Sequence, residues 1–271
     1  MMQLKLFAEK FLPGSVLKAA KNTYRTLRGI IKSKAYKGDE VYCPCCNKHF
    51  SHFADFKYSL ELTNSKRFKD TYKNIDCPYC YSHPRHRIVC FSLNHIKEKL
   101  KKNNVTALMI GAEYSIEKWF RDNQINFITT DLFDKTADIK ADIQNMPFDN
   151  NSQSLIICNH VLEHVPNVKV ALKELYRILS QDGILEISVP TDKSFSHTIE
   201  NTGELSVNER IEKFGQIDHM RIFGNDVEEI IRSACFSVEI IDGEKLPENI
   251  VAKIGPANYD DNRIYVCRKT Q

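Results

Sequence analysis

Hydrophobic and polar positions alternate in a regular order between residues 105 and 190. Three short apolar runs, Ala107–Ile110, Ser154–Cys158 and Ile184–Val189, are separated by segments whose apolar residues recur at helical spacing. This order predicts βαβ units that feed a parallel sheet, because parallel strands are joined by helical crossovers. The sequence therefore favours an α/β fold in this part of the chain.

Polar residues follow the predicted strands, at the edge where sheets of this kind bind ligands. Gly111 comes after the first strand, Asp131 after the second and Asn159 after the next buried run. The twenty residues from Gly111 to Asp131 are the distance at which an acid after the second strand meets ribose hydroxyls. Asp142 and Phe148 offer an acid and an apolar wall for an adenine ring. The sequence thus predicts a nucleotide-like cofactor.

The composition is that of an ordinary soluble globular protein, with 42% hydrophobic and 27% charged residues in a chain of 271. No apolar run reaches the length of about 18 residues that a membrane-spanning helix needs. The N-terminus has no apolar core followed by a small-residue cleavage site, so we expect no signal peptide. Nine cysteines without an export signal favour metal binding over disulfides, and we expect a cytoplasmic protein.

Residues 1–40 are predicted to form a basic helical arm. Residues 1–38 contain nine Lys/Arg and one acid, a net charge of +8, whereas the rest of the chain carries −5. Ser15 is a candidate N-cap for a helix with two neighbouring stripes. The apolar stripe is Leu17, Ala20, Tyr24, Leu27 and Ile31, and the cationic stripe is Lys18, Lys21, Arg25, Arg28 and Lys32. Such a helix could lie on the inner face of an anionic membrane, contact nucleic-acid phosphates, or dock on its own domain.

Two C-x-x-C pairs predict a metal site in residues 41–96. The four ligands are Cys43, Cys46, Cys77 and Cys80. Four thiolates are the tetrahedral set that a structural zinc prefers, and they leave no open position for chemistry. Cys45 offers an alternative register, His49 and His52 are spare ligands, and free buried thiols are the competing interpretation. We predict a zinc-ribbon-like module followed by a linker helix.

Two arginines come directly after the second cysteine pair. Arg85 and Arg87 could bind a phosphate or carboxylate group of a substrate. They could equally pair with acids where the zinc module meets the sheet domain, and we favour this second use.

Several segments of the chain resemble the class I S-adenosylmethionine-dependent methyltransferases of the type 11 group. The segments are Gly111, Asp131, Asp142–Phe148, Ser154–Val165, Leu172–Pro190, Arg85–Arg87 and Phe214–Arg221. The last two, together with the cysteine pairs, resemble a subgroup that has an N-terminal zinc module. The resemblance covers about residues 41–268, and its most specific part is the run from Ile157 to Gly183.

The resemblance implies a Rossmann-like fold with a seven-stranded, mostly parallel sheet, and S-adenosylmethionine as the cofactor. By position, Gly111, Ala112 and Glu113 would contact its methionine portion, Asp131 and Leu132 its ribose, Asp142 and Ile143 its adenine, and Asn159 and His160 would lie near the methyl group. The chain has Met109 where the family has an acid, and only one glycine in the loop. Glu113 is therefore predicted to bind the cofactor's amino group, unless it only complements the start of the next helix.

Ionisable residues are concentrated in two further segments. His160 to His164 matches the inverted zinc-protease pattern H-x-x-E-H, but the segment follows a strand and soon meets Pro166, which favours a loop. Phe214–Arg221 contains Asp218 and His219, a density typical of an active-site wall. For a hydroxyl acceptor we predict His219 as the general base, Asp218 as its orienting partner and His160 as the alternative base.

The sequence leaves three functional hypotheses. The first is a methyltransferase acting on oxygen atoms of a sugar, a glycan or another small molecule, with the arm at a membrane surface. The second is an RNA methyltransferase whose zinc module and arm hold phosphates. The third is a methyltransferase-fold scaffold without activity. The predicted division is an arm (1–40), a zinc module with a linker helix (41–96) and a methyltransferase domain (97–271).

Overall fold

The computed structural model describes residues 12–57, 71–200, 203, 205–255 and 262–270. The α-helices are α1 (Gly14–Ser33), α2 (Pro84–Lys102), α3 (Tyr114–Asp122), α4 (Val168–Ile178), α5 (Val207–Phe214), α6 (Val227–Arg232) and α7 (Glu248–Ile254). The first strands are β1 (Val41–Cys43), β2 (Lys48–Phe50), β3 (Ala54–Lys57), β4 (Thr71–Asp76), β5 (Thr106–Ile110), β6 (Asn126–Asp131) and β7 (Ile139–Lys140). The others are β8 (Gln153–Asn159), β9 (Leu179–Ser188), β10 (Ile199–Glu200), β11 (Arg221–Ile222), β12 (Phe236–Asp242) and β13 (Arg263–Lys269).

Seven of these strands form one sheet in the order β12-β13-β9-β8-β5-β6-β7. The strands from β9 to β7 pair in parallel, and β13 alone runs antiparallel to its two neighbours. The chain leaves β5 towards β6 on one side and later returns to β8 on the other. The crevice outside the ends of β5 and β8 is therefore the topological switch point, where such sheets bind ligands. The predicted seven-stranded, mostly parallel sheet is confirmed.

Two apolar cores cover the two faces of this sheet. Ala107 and Met109 of β5 belong to one core, and the alternate residues Leu108 and Ile110 belong to the other, as the two-residue period of a strand requires. The first core also contains α2, α3 and the cysteine-rich segment, whereas α4 and α6 pack into the second. Because the zinc-module residues share a core with the sheet, the module is built into the fold. The predicted boundary after residue 96 falls inside α2.

Helix α1 lies against the rest of the protein through its cationic stripe. Lys18 Nζ donates to Thr129 Oγ1 at 3.0 Å and lies 3.3 Å from a Glu117 carboxylate oxygen, and Lys32 Nζ lies 2.9 Å from Asp76. A Cβ atom on Gly29 would come within 2.1 Å of the Tyr79 carbonyl oxygen, so only glycine permits this approach.

The predicted apolar stripe of the arm, by contrast, mostly faces outwards. Leu17 is buried, but Tyr24, Leu27 and Ile31 are 57–70% exposed. The helix begins at Gly14 with Pro13 at the N-cap, so the predicted Ser15 cap is wrong. Residues 1–11 of the predicted arm lie outside the described residues, and contact with a membrane stays a prediction. None of the helices in the described ranges is both long and apolar enough to cross a membrane.

Glu186 provides a test of how the linker helix joins the sheet. This β9 residue is fully buried, and its Oε1 accepts a hydrogen bond of 2.7 Å from Ser92 Oγ of α2. Burial raises the pKa of Glu186 to about 7. The unfolded chain loses this proton at a lower pH than the folded protein, so stability falls as the pH rises from about 4.5 to about 7.

We therefore expect Glu186→Gln to raise the free energy of unfolding at pH 8 by about 1–3 kcal/mol, since one pKa unit corresponds to about 1.4 kcal/mol. At pH 5 the gain should disappear. Urea unfolding at both pH values measures the difference, with the exposed Glu239→Gln on β12 as the control. An equal effect of Glu186→Gln at pH 5 and pH 8 would contradict the raised pKa of Glu186.

Candidate cofactor and acceptor site

The loop after β5 forms the first wall of the crevice at the switch point. Gly111 has a φ of +62°, a left-handed conformation that favours glycine. A Cβ atom there would lie 2.8 Å from Val161 Cγ2, because the loop that follows β8 passes directly beside it. The single glycine of the loop therefore stands where both backbone conformation and space demand it.

Glu113 is held in this loop by an arginine and a histidine from the start of α2. Its Oε1 accepts from Arg85 Nη2 at 2.7 Å and contacts His86 Nε2 at 2.6 Å, while Oε2 is buried with no hydrogen-bond partner among the described residues. Burial alone would raise the pKa of Glu113, but His86 and Arg85 hold it well below its ordinary value. A buried carboxylate oxygen without a donor is costly, so Glu113 fits the ammonium group of a ligand.

The second arginine of this segment is used inside the protein. Arg87 is fully buried and donates to the carbonyl oxygens of Ile75, Ser82 and Ile254. Arg85 pairs with Glu113, as described above. Arg85 thus pairs with an acid, as the favoured prediction expects, whereas Arg87 donates to backbone carbonyl oxygens and not to an acid.

A cavity of about 360 Å³ lies beside the loop after β5, which is called the cofactor loop from here on. The cavity is lined by Ala112, Glu113 and Asp131 and, from α1, by Lys18 and Arg25. Its volume is within the range of small-molecule sites. The arm therefore contributes to the wall of the predicted cofactor site, a contact that the helical pattern alone did not predict.

Asp131 lies at the end of β6, and one oxygen of its carboxylate accepts hydrogen bonds from the backbone. Its Oδ1 accepts from the backbone nitrogens of Phe133 and Asp134, each at 2.7 Å, which fixes the side chain at the strand end. Leu132 is 38% exposed beside it.

The two predicted adenine contacts lie in and after the turn that follows β7. Asp142 accepts a hydrogen bond from Gln144 N at 2.8 Å in this turn. Ile143 is buried in the second core.

The loop after β8 brings together the ionisable residues of the acceptor side. Asn159 is buried, its Oδ1 accepts from Ser188 Oγ at 2.9 Å, and its Nδ2 has no partner among the described residues. His160 has a left-handed backbone with a φ of +52°. Its Nδ1 lies 3.3 Å from Glu163 Oε1, and its Nε2 is buried and likewise unpartnered.

Residues 160–164 form a loop and a turn, as predicted, and they contact Asp218 and His219 from a distant part of the chain. The rings of His164 and His219 have centroids 4.8 Å apart. Asp218 Oδ2 lies 3.3 Å from His164 Nδ1, so the described ion-pair partner of Asp218 is His164, not His219 as the sequence had suggested. The catalytic roles of His160, Asp218 and His219 stay predictions.

The pKa values of His164 and His219 in this cluster are shifted in opposite directions. Burial lowers the pKa of His219. Burial also acts to lower the pKa of His164, but the hydrogen bond to Asp218 and the charge of Glu163 raise it above its ordinary value. Glu163 is almost fully buried, yet the neighbouring histidines keep its pKa below the ordinary value.

The four predicted zinc ligands lie together in the N-terminal module. The sulfur atoms of Cys43, Cys46, Cys77 and Cys80 all lie within 4.8 Å of one another. Two of the separations are 3.5 and 3.9 Å. A tetrahedral zinc with bonds of about 2.3 Å needs sulfur atoms about 3.8 Å apart, so the residues fit this metal.

The three alternative zinc ligands named from the sequence, Cys45, His49 and His52, contact other groups. Cys45 Sγ contacts the His86 carbonyl oxygen at 3.3 Å. His49 pairs with Asp39, and His52 contacts Ser51. The register that pairs Cys43 with Cys46 is therefore the one the fold brings together.

Part of the chain matches the model of a known protein family. Residues 92–187 match the family model described as a methyltransferase domain, type 11. The matched segment covers about a third of the chain. The match confirms the predicted resemblance to the S-adenosylmethionine-dependent methyltransferases.

Relatives of the methyltransferase domain are distant. A stretch of 79 residues is 33% identical to a demethylmenaquinone methyltransferase of Chlamydia felis, covering 29% of this chain and 34% of that protein. The chain thus spans about a third of the length of this curated relative.

Solved structures with a similar fold include a 1,6-didemethyltoxoflavin N1-methyltransferase of Burkholderia thailandensis (15% identity, TM-score 0.43, covering 66% of this chain and 79% of that one). Another is a SAM-dependent methyltransferase of Archaeoglobus fulgidus (14% identity, TM-score 0.43, covering 65% of this chain and 94% of that one).

The sequence placed Arg221 in the predicted active-site wall and Glu163 in the protease pattern, but it did not predict how either residue acts in this cluster. Arg221 is buried and donates to the carbonyl oxygens of Leu162, Val165 and Pro166, so it braces the loop that carries His160, Glu163 and His164. Glu163 had been considered only as part of the protease pattern. The available signal was the run Asp218–Arg221, which contains a cation close to the candidate histidine.

Proposed function

We propose that the protein transfers a methyl group from S-adenosylmethionine to a hydroxyl oxygen of a sugar, a glycan or another small acceptor. The observation that carries this proposal is the direct contact between the cofactor loop and the loop of residues 160–164, at Gly111 and Val161. This contact supports the proposal that the imidazoles and carboxylates of that loop lie beside the predicted cofactor. A hydroxyl acceptor needs such groups, because its proton must leave during methyl transfer.

The residues of the crevice fit S-adenosylmethionine. Glu113 would bind its amino group, Asp131 its ribose, and Asp142 with Ile143 its adenine. The cofactor would supply the methyl group, and the protein's contribution is to hold the acceptor oxygen in line with it. The direct test is calorimetric titration with S-adenosylmethionine and S-adenosylhomocysteine, followed by a mass-spectrometric screen of sugar and other hydroxyl acceptors. Methylation of nitrogen or carbon only would contradict the proposed reaction.

The His219→Ala variant should lower turnover by at least about 100-fold, as removal of a general base does, with the affinity for S-adenosylhomocysteine changed less than about twofold. His219 is buried in the acceptor-side cluster, away from Asp131 and Asp142. The exposed His95→Ala on α2 is the control. Unchanged turnover in His219→Ala would remove this residue from the reaction.

RNA as the acceptor is the second candidate, and the contacts of α1 count against it. Lys18 and Lys32 form ion pairs within the protein, and Arg25 lies over the ring of Tyr114 at 5.0 Å. Because these cations already have partners within the protein, they are less available to bind RNA phosphates. RNA binding, if present, should weaken steeply between 50 and 200 mM salt, whereas binding of a neutral sugar acceptor should change little.

A further inference from the structure

We infer that Glu163, His164 and His219 form a binding site for a divalent cation on the acceptor side of the methyltransferase domain. One donor atom from each side chain lies within 4.8 Å of the other two. The inference rests on the proposed function, since it names how the acceptor hydroxyl is held there. This site is separate from the four-cysteine cluster, which shares none of these residues.

The donor atoms are those of a metal site with open positions. Two imidazoles and one carboxylate on one side of a cation leave coordination positions for other ligands. Four cysteines, by contrast, close the coordination sphere of zinc. A cation held by Glu163, His164 and His219 could therefore accept one or two hydroxyl oxygens of an acceptor. Coordination would lower the pKa of a bound hydroxyl, so that its proton passes to His160, the alternative base, while its oxygen takes the methyl group.

An unpartnered buried oxygen supports the site independently. Glu163 is 1% exposed, and its Oε2 has no hydrogen-bond partner among the described residues. Its Oε1 lies 3.3 Å from His160 Nδ1 and 4.0 Å from His164 Nε2. The buried Oε2 therefore lacks a donor, and a cation would supply the partner that this oxygen needs.

The surroundings hold the donor atoms as the supporting groups of metal sites do. His164 directs Nε2 towards Glu163, while its Nδ1 lies 3.3 Å from Asp218 Oδ2. A histidine that binds a metal through one nitrogen commonly donates from the other to a carboxylate. The Met220 backbone nitrogen donates to the Glu163 carbonyl oxygen at 2.8 Å, and Arg210 donates to the carbonyl oxygen of His219. Asp218 is thus a positioning residue.

The ligand role changes the interpretation of His219. A histidine nitrogen that binds a cation cannot also take the acceptor's proton, so the ligand role and the general-base role exclude each other. Loss of turnover in His219→Ala agrees with both. Only a measurement of cation binding separates them.

The test is titration of the zinc-loaded, full-length protein with Mn²⁺, followed by electron paramagnetic resonance and calorimetry. We expect one Mn²⁺ site per chain in addition to the cysteine-bound zinc. Glu163→Gln, which keeps the shape of the side chain, and His219→Ala should each abolish this site. Asp218→Asn should weaken it by about 10- to 100-fold, as changes in supporting residues of metal sites do. The control His95→Ala should keep it, and circular dichroism verifies the fold of each variant.

Saturable Mn²⁺ binding that disappears in Glu163→Gln and His219→Ala would support the inference. No saturable binding to the wild-type protein, or equal binding in Glu163→Gln, would overturn it. Titration of the same samples with S-adenosylhomocysteine keeps the two proposals apart. Cofactor binding without a Mn²⁺ site removes only the metal inference, whereas a Mn²⁺ site without cofactor binding removes only the proposed methyl transfer.

Discussion

The Cys77→Ser variant is expected to lose zinc and to destabilise the fold beyond its N-terminal module. Cys77 is fully buried, and its sulfur lies 3.9 Å from that of Cys46. Binding of a structural zinc contributes about 10–16 kcal/mol in isolated zinc modules, as much as or more than the total stability of a typical domain. The four cysteines belong to the same core as Leu155 of β8 and Val266 of β13. Loss of the metal should therefore reach the sheet.

Zinc content by mass spectrometry and thermal unfolding measure this effect. We expect one tightly bound zinc per wild-type chain, close to none in Cys77→Ser, and a lower unfolding temperature in that variant. Cys45→Ala is the control, since Cys45 is a buried cysteine between the ligands Cys43 and Cys46, but its sulfur contacts the His86 carbonyl oxygen. Retention of zinc in Cys77→Ser, or its loss in Cys45→Ala, would show that the ligand register differs from the one proposed.

Local patterns in the sequence were sufficient for the sheet and for the cofactor side of the site. The predicted run Ala107–Ile110 lies within one residue of the bounds of β5, and the strand predicted before Asp131 is β6, because buried parallel strands are short, apolar and separated by helices. Gly111 and Asp131 followed from the same pattern, since they stand where these strands end. Each of these features depends on fewer than about thirty consecutive residues, the span of one βαβ unit.

Long-range contacts explain what the sequence did not reveal. Periodicity identified two stripes on α1 but not which stripe faces the protein, because that depends on Asp76 and Glu117, acids located far along the chain. The partner of Asp218 was likewise missed. His164 and Asp218 are 54 residues apart, and only the folded chain brings them together. Charge pairing between distant segments has no periodic signal.

Asp131→Ala is expected to lower the affinity for S-adenosylhomocysteine by about 10- to 100-fold, since a hydrogen bond to a charged group contributes about 1.5–3 kcal/mol. Asp131 stands at the end of β6, lines the cavity of about 360 Å³, and is fixed by the backbone nitrogens of Phe133 and Asp134. An acid in this place binds ribose hydroxyls in sheets of this class. Calorimetric titration measures the affinity, and Asp122→Ala on α3, the exposed partner of Lys118, is the control.

Asp131→Asn distinguishes the two tasks of this side chain. An asparagine oxygen can still accept from the backbone nitrogens of residues 133 and 134, so the loop should keep its shape. The amide has lost the negative charge and half of the acceptor capacity that two ribose hydroxyls require. If ribose binding is the function of Asp131, Asp131→Asn should lose much of the affinity that Asp131→Ala loses. If Asp131 only shapes the loop, Asp131→Asn should bind like the wild-type protein, and the cofactor would then be held mainly through Glu113 and the loop at Gly111.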